Sequence, residues 1–256
     1  MYCMRLLTAL FHGHFQRGHI KIMRIYSVSV KYPLVALCAA VLIGLGGSAW
    51  SNNNMDDAPS AAKIDSKLRA ELDAKILAIK SDRSLYLAAM EEGRARTVLC
   101  GTCHGKDGKS VKEEVPNLAG QNATYIIDQF KRFSDGRRKN YMMSSLASTF
   151  NDEDMLKIAI YYDSLPVQFS EGGSESMIPQ GRSLFQERCT RCHGEDGRGN
   201  EGYASLAGQR PDYVVKMLLE FKNQDGKRIN PWMSGVALRL DNTQMESIAT
   251  YLANLK

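Results

Sequence analysis

Two pentads in this 256-residue chain have the residue types and spacing for covalent chemistry at a metal centre. They are Cys100-Gly101-Thr102-Cys103-His104 and Cys189-Thr190-Arg191-Cys192-His193. In Cys-x-x-Cys-His the two thiols can each bond a vinyl-derived carbon of a porphyrin, and the adjoining imidazole can ligate its iron. This is the attachment signature of a c-type haem. One copy could equally be a zinc site or a redox dithiol. Here both copies run into matching text, Cys-His-Gly-Lys-Asp-Gly-Lys at 103–109 and Cys-His-Gly-Glu-Asp-Gly-Arg at 192–198. Two covalently bound haem c groups are therefore expected, on Cys100 and Cys103 and on Cys189 and Cys192, with His104 and His193 as proximal iron ligands.

The elements that position these pentads come in duplicate. At an offset near 89 residues, Leu118-Ala119-Gly120-Gln121 falls on Leu206-Ala207-Gly208-Gln209, Tyr125 on Tyr213, and Phe133 on Phe221. Met143-Ser144 falls on Met233-Ser234, while Met155, Ile158, Ala159 and Tyr161 fall on Met245, Ile248, Ala249 and Tyr251. Each repeat reads as helical, and no stretch alternates as a strand would. A first helix leads into the cysteines, from Glu92 in one copy and Gln180 in the other. A second follows each Leu-Ala-Gly-Gln turn. A third begins after Asn151 and at Asp241, where Asp152, Glu153 and Asp154 suit the positive end of a helix. A unit of about 80 residues buries a marginal core alone, so the haem is expected to act as its hydrophobic centre.

The division expected is a leader at 1–50, a helical extension at 51–89, a first haem domain at 90–166, a linker at 167–178 and a second haem domain at 179–256. The leader holds Arg5, Arg17, Lys21, Arg24 and Lys31 and no acid, which accounts for the whole net charge of +5. Its apolar run from Pro33 to Gly47 has the length of a secretory core and is short for a spanning helix, with a cleavage site after Ala49. Met23 would open a signal peptide of ordinary length, so His12, His14 and His19 fall in removed or untranslated sequence. An uncleaved membrane anchor is the alternative; Cys38 is a poor lipidation site. The rest of the chain is balanced in charge, and no basic face suggests nucleic acid. Beyond Cys3 and Cys38, all four cysteines belong to the pentads, which leaves no structural disulfide to expect. Covalent haem attachment takes place outside the bacterial cytoplasmic membrane, so leader and pentads agree on the periplasm. In the extension, Ile64, Leu68, Leu72, Ile76 and Ile79 share one face, either packing on the first haem domain or docking a partner subunit.

Function turns on the sixth iron ligand. Once the leader is removed, His104 and His193 are the only histidines, so bis-histidine ligation is excluded by counting. Met143 and Met233, in loops at matched distances from matched histidines, are the expected ligands. Met142 competes for the first iron, but its counterpart is Trp232. Met155 and Met245 sit in helical stripes and read as core. A thioether stabilises ferrous iron and raises the reduction potential, and a filled coordination shell leaves no position for oxygen or peroxide. The other ring nitrogen of each proximal histidine needs an acceptor. The carbonyl of Pro116 is expected in the first copy, and that of Ala204, in a less rigid loop, in the second.

The two Cys-x-x-Cys-His-Gly motifs, the Leu-Ala-Gly-Gln turns, Tyr125 and Tyr213, the methionines and the closing Ile-Ala-x-Tyr helices together resemble class I c-type cytochromes. They resemble most the dihaem cytochromes of the c4 family, over residues 90–256. The resemblance implies an all-α fold of two tandem haem domains. It also implies a periplasmic protein, soluble or loosely membrane-associated, that carries electrons from a respiratory complex to an oxidase or another cytochrome and is not an enzyme. The 51–89 segment departs from that pattern and leaves room for a bound subunit of a larger dehydrogenase or oxidase. A dihaem peroxidase would need an open iron position and further histidines. Lys131, Arg132, Arg137, Arg138, Lys139, Lys227 and Arg228 precede the methionines and could ring an exposed haem edge to guide an acidic partner.

Overall fold

The computed structural model describes residues 60–256 apart from 171 and 201, and side chains from residue 67 onward. The leader and its expected cleavage site lie outside the described residues. Eleven α-helices make up the described fold: α1 (Ser60–Ser81), α2 (Arg83–Arg96), α3 (Gly101–His104), α4 (Ala123–Ser134), α5 (Tyr141–Ala147), α6 (Asp152–Ser164), α7 (Ile178–Arg188), α8 (Thr190–His193), α9 (Pro211–Asn223), α10 (Pro231–Ala237) and α11 (Asn242–Ala253). Among the described residues there is no strand, only an isolated bridge between Arg138 and Arg228. The all-α expectation holds.

Each repeat is a set of helices whose ends are written in the sequence. Asn122 caps α4 by accepting from the Tyr125 amide, and Asn151 caps α6 by accepting from Asp154. Asp241 and Gln244 form a reciprocal capping box at the start of α11. The helix entering the first haem motif starts at Arg83, not Glu92, because the Asp82 carboxylate caps it by accepting from the Ser84 and Leu85 amides. The boundary drawn at residue 89 therefore falls inside α2.

In both repeats the entering and closing helices cross at a glycine. A Cβ on Gly93 of α2 would lie 2.2 Å from the Lys157 carbonyl oxygen of α6. On Gly181 of α7 it would lie 1.9 Å from that of Ser247 in α11. These backbones are in direct contact, and only glycine allows it. Around each crossing sits a core. The first gathers Ile126, Ile127, Phe130, Phe133, Met155, Ile158 and Tyr162, and the second Leu184, Phe185, Val214, Leu218, Met245, Ile248 and Leu252. Met155 and Met245 are core residues, as their helical stripes indicated.

Of the apolar stripe of α1, Ile76 is buried and Leu72 and Ile79 pack against the core of the first repeat, while the side chain of Ile64 lies outside those described. Asp73 accepts from the Thr124 hydroxyl and Lys80 pairs with Asp163. From the same helix Arg69 lies over the ring of Tyr203, 4.7 Å away in the second repeat. The extension thus touches both halves.

The seam between the repeats is built twice by the same residues. Gln209 accepts from the Asn117 amide (2.8 Å) and donates to its carbonyl (3.1 Å). Gln121 does the same to Ser205, at 2.7 and 2.9 Å. All four residues are buried.

Gly181→Ala should lower stability by about 1–3 kcal/mol through overpacking at the α7–α11 crossing. Denaturant unfolding of the holoprotein measures this, and an unchanged midpoint would show that the contact is not tight.

Candidate functional site

Each haem motif is a single helical turn followed by a left-handed glycine. The His104 amide donates to the Cys100 carbonyl (2.9 Å) and the His193 amide to that of Cys189 (3.0 Å). Two cysteines three apart therefore share a face, with histidine next along the turn. Gly105 (φ 78°) and Gly194 (φ 75°) then reverse the chain, and at Gly105 a Cβ would meet the Lys109 carbonyl oxygen at 1.8 Å. All four cysteines are half-buried and none is in a disulfide.

Both histidines are buried, and each is held by one bond. His104 Nδ1 donates to the Pro116 carbonyl and His193 Nδ1 to the Ala204 carbonyl, both at 2.9 Å. With the proton fixed on Nδ1, the Nε2 lone pair is free for iron. Burial depresses both imidazole pKa values; the carbonyl bonds oppose this, and the nearby Arg138 and Arg228 add to it. The shift favours the neutral ring, the form of imidazole that can ligate a metal. The carbonyl of Ala204 holds its ring at the same distance as that of Pro116, so the expected looseness of the second loop does not appear in this contact.

The methionines lie on helices, not in the loops expected. Asn140 and Asn230 cap α5 and α10 by accepting from the amides of Met143 (3.0 Å) and Met233 (3.1 Å), which turns the chain into a helix just before each thioether. Met143 packs against the first core together with Cys100, and Met233 against the second together with Cys189. Their neighbours face the other way: Met142 is 58% exposed and Trp232 84%.

The basic residues do not form the ring envisaged. Lys131 pairs with Asp152, Arg132 with Asp128, Arg137 with Asp135 and Lys227 with Asp225, so each charge is locally cancelled. Arg138 and Arg228 turn into the seam instead, where they bond Tyr213 and Tyr125. Sequence reasoning missed these two arginines and the glutamine clasps as a functional set. The signal was the same repeat alignment, in which Arg138 falls on Arg228 and Gln121 on Gln209.

The chemistry present fits haem and not the rival uses of Cys-x-x-Cys. Burial pushes the Cys189 thiol up to about 12 and raises that of Cys100, which is unsuited to a redox dithiol working through a thiolate. No group of three or more His, Cys, Asp or Glu side chains among the described residues could hold a bare metal ion. Arg138 and Arg228 are half-buried cations with no carboxylate partner among those residues. A haem brings two carboxylates, the anions these sites lack.

Comparison with known proteins agrees. A cytochrome c family model matches residues 178–256, the second repeat. Cytochrome c4 from Pseudomonas aeruginosa is 33% identical over 178 residues, spanning 64% of this chain and 87% of the relative. The chain belongs to the cytochrome c4 family. The crystal structure of reduced cytochrome c4 from Pseudomonas stutzeri matches with a TM-score of 0.60 at 30% identity, covering 65% of this chain and 98% of that one. A thiosulfate dehydrogenase electron acceptor from Thiomonas intermedia is 29% identical, covering 70% of this chain and 90% of the relative. As a member of the cytochrome c4 family the protein carries two covalent haem c groups and transfers electrons to and from redox partners; it is not an enzyme. Its cytochrome c4 relatives are exported. No helix among the described residues is long and apolar enough to cross a membrane, and the apolar segment considered as an anchor lies outside them.

Pyridine haemochrome assay should give two haems per chain, and Cys189→Ala/Cys192→Ala should give one. Two haems in the double variant would refute attachment at the second pentad.

Proposed function

We propose that this cytochrome c4-family protein shuttles electrons between respiratory partners in the periplasm, with His104 and Met143 ligating the first iron and His193 and Met233 the second. Cys100, Cys103, Cys189 and Cys192 provide the thioether bonds. The observation that carries this reading is the paired inward placement of Met143 and Met233, each on the core that also takes a haem cysteine of its own repeat.

When bound, each haem supplies one-electron ferric–ferrous chemistry. The chain's own residues do the rest. His104 and His193 present Nε2 while their Nδ1–H groups donate to the Pro116 and Ala204 carbonyls, which holds the orientation of each ring. The thioethers of Met143 and Met233 would supply each iron with a soft, neutral donor and would leave no place on it for water or peroxide. No side chain is required to move a proton.

A dehydrogenase is a natural donor, since a relative of matching length carries the name of a thiosulfate dehydrogenase electron acceptor. A freely diffusing carrier is favoured over a fixed subunit by the use α1 makes of its apolar stripe. Leu72, Ile76 and Ile79 are spent on the protein's own first repeat and do not remain for a partner.

Carbon monoxide tests the ligation. The ferrous protein should not bind it, whereas Met143→Ala and Met233→Ala should each bind it at one haem, read as a shifted Soret band in half the absorbance. Binding by the unaltered protein, or none by either variant, would refute the ligand assignment.

A further inference from the structure

The carbonyls that hold the two histidines sit on loops of unequal intrinsic stiffness. In the first loop the carbonyl is that of Pro116, and Glu114 two residues earlier ties the loop to the second repeat. Its amide donates to Asp212 (2.6 Å) and its carboxylate pairs with Lys216 (2.7 Å). In the second loop Gly202 stands in place of Glu114 and Ala204 in place of Pro116. Gly202 and Glu114 share a left-handed backbone, at φ 75° and 54°. Glycine brings no side chain for an ion pair and alanine no ring to fix φ, so by sequence the second loop is the freer one. Yet the Ala204 carbonyl meets His193 Nδ1 at 2.9 Å, the distance at which that of Pro116 meets His104.

The missing support comes from α1. Its Arg69 guanidinium lies 4.7 Å over the ring of Tyr203, the residue between Gly202 and Ala204. The same ring stands edge-on to the His193 imidazole, with centroids 6.5 Å apart and planes at 65°. Tyr203 thus touches both the guanidinium and the imidazole. The arginine stem also approaches the loop backbone: a Cβ on Gly202 would lie 3.3 Å from Arg69 Cδ and 2.9 Å from Thr124 Cγ2. Thr124 falls on Asp212 in the repeat alignment, and its hydroxyl donates to Asp73, four residues along α1 from Arg69. Arg69 and Asp73 therefore share one helical face and reach one corner of the seam. Arg69 takes the loop of the second repeat, and Asp73 takes the end of α4 that abuts it.

We propose that α1 is the clamp of the second proximal loop and that Arg69 is a positioning residue for His193. Arg69 holds Tyr203, which fixes the Ala204 carbonyl and through it the orientation of the imidazole. Asp73 secures α1 to Thr124, and Ile76, buried in the first core, anchors the helix that carries both. The clamp supplies the stiffness that Glu114 and Pro116 give the first loop. The extension, packed on the first repeat, thereby becomes part of the second haem site. The proposal needs His193 and its loop but neither the methionine ligands nor the identity of any redox partner.

Arg69→Ala in the full holoprotein is the test, with hydrogen exchange read at two places. Amide exchange over residues 199–205 should quicken roughly three- to tenfold, the scale of one lost cation–π contact, while residues 110–117 stay unmoved. In the reduced protein, NMR should show the Nδ1 proton of His193 exchanging faster by a similar factor and that of His104 unchanged. Ala204→Pro gives the second loop the residue of the first, and added to Arg69→Ala it should restore both rates. Tyr203→Leu should reproduce the Arg69→Ala result, and it serves as the test should Arg69→Ala not retain both haems. Unchanged rates, equal quickening in the two repeats, or a loosened loop with the His193 proton unmoved would overturn the proposal. So would quickened exchange that Ala204→Pro does not reverse.

Discussion

Everything in each repeat is arranged around one imidazole that has to stay still. A histidine at the end of a single helical turn has no rigidity of its own, and the bond from Nδ1 to a backbone carbonyl supplies it. That carbonyl lies on a loop which must itself be pinned. The Gly120 amide donates to the Tyr162 carbonyl of α6, and the Gly208 amide to the Leu252 carbonyl of α11, both within 2.9 Å. The closing helix is in turn locked to the entering helix by backbone contact at Gly93 or Gly181. A continuous path of backbone contacts thus runs from the helix crossing to the loop that holds this imidazole. Few flexible side chains intervene, which suits a site that must change charge with little rearrangement.

Duplication turns this unit into a two-centre protein at small cost in new residues. The glutamine of each Leu-Ala-Gly-Gln turn serves as a two-point clasp on the backbone of the other repeat, replacing the pairing that a strand would give. Because the contacts are reciprocal, the two halves meet in one register. The extension helix breaks the symmetry, with its apolar stripe on the first repeat and Arg69 over Tyr203 of the second. Tyr203 lies edge-on to His193 with ring centroids 6.5 Å apart. The two centres are therefore alike in plan and different in surroundings.

Much of this was legible in the sequence, for definite physical reasons. The Cys-x-x-Cys-His spacing is a constraint of covalent geometry, so the motif reveals itself without context. The carbonyls of Pro116 and Ala204 could be expected because a buried imidazole N–H needs an acceptor and the loop offers its backbone. The helix carrying each methionine was not foreseen, because the capping role of Asn140 and Asn230 shows only once the chain is seen to turn there. The start of α2 was misplaced for a similar reason: Asp82 caps it inside what reads as one continuous helical extension. Least legible was the seam. Gln121 and Gln209 look like ordinary polar turn residues, and Arg138 looks like its neighbours Arg137 and Lys139. Only the fold separates the arginine that enters the interface from Arg137, which pairs with Asp135 at the surface.

The central claim is that both irons are closed by histidine and methionine, which makes the protein a carrier and not a catalyst. The near-infrared methionine-to-ferric-iron charge-transfer band of the oxidised protein, scaled to haem content, tests it most directly. The account predicts two bands' worth of intensity per chain. One band's worth, or none, would contradict it and mark an iron that is open or differently ligated.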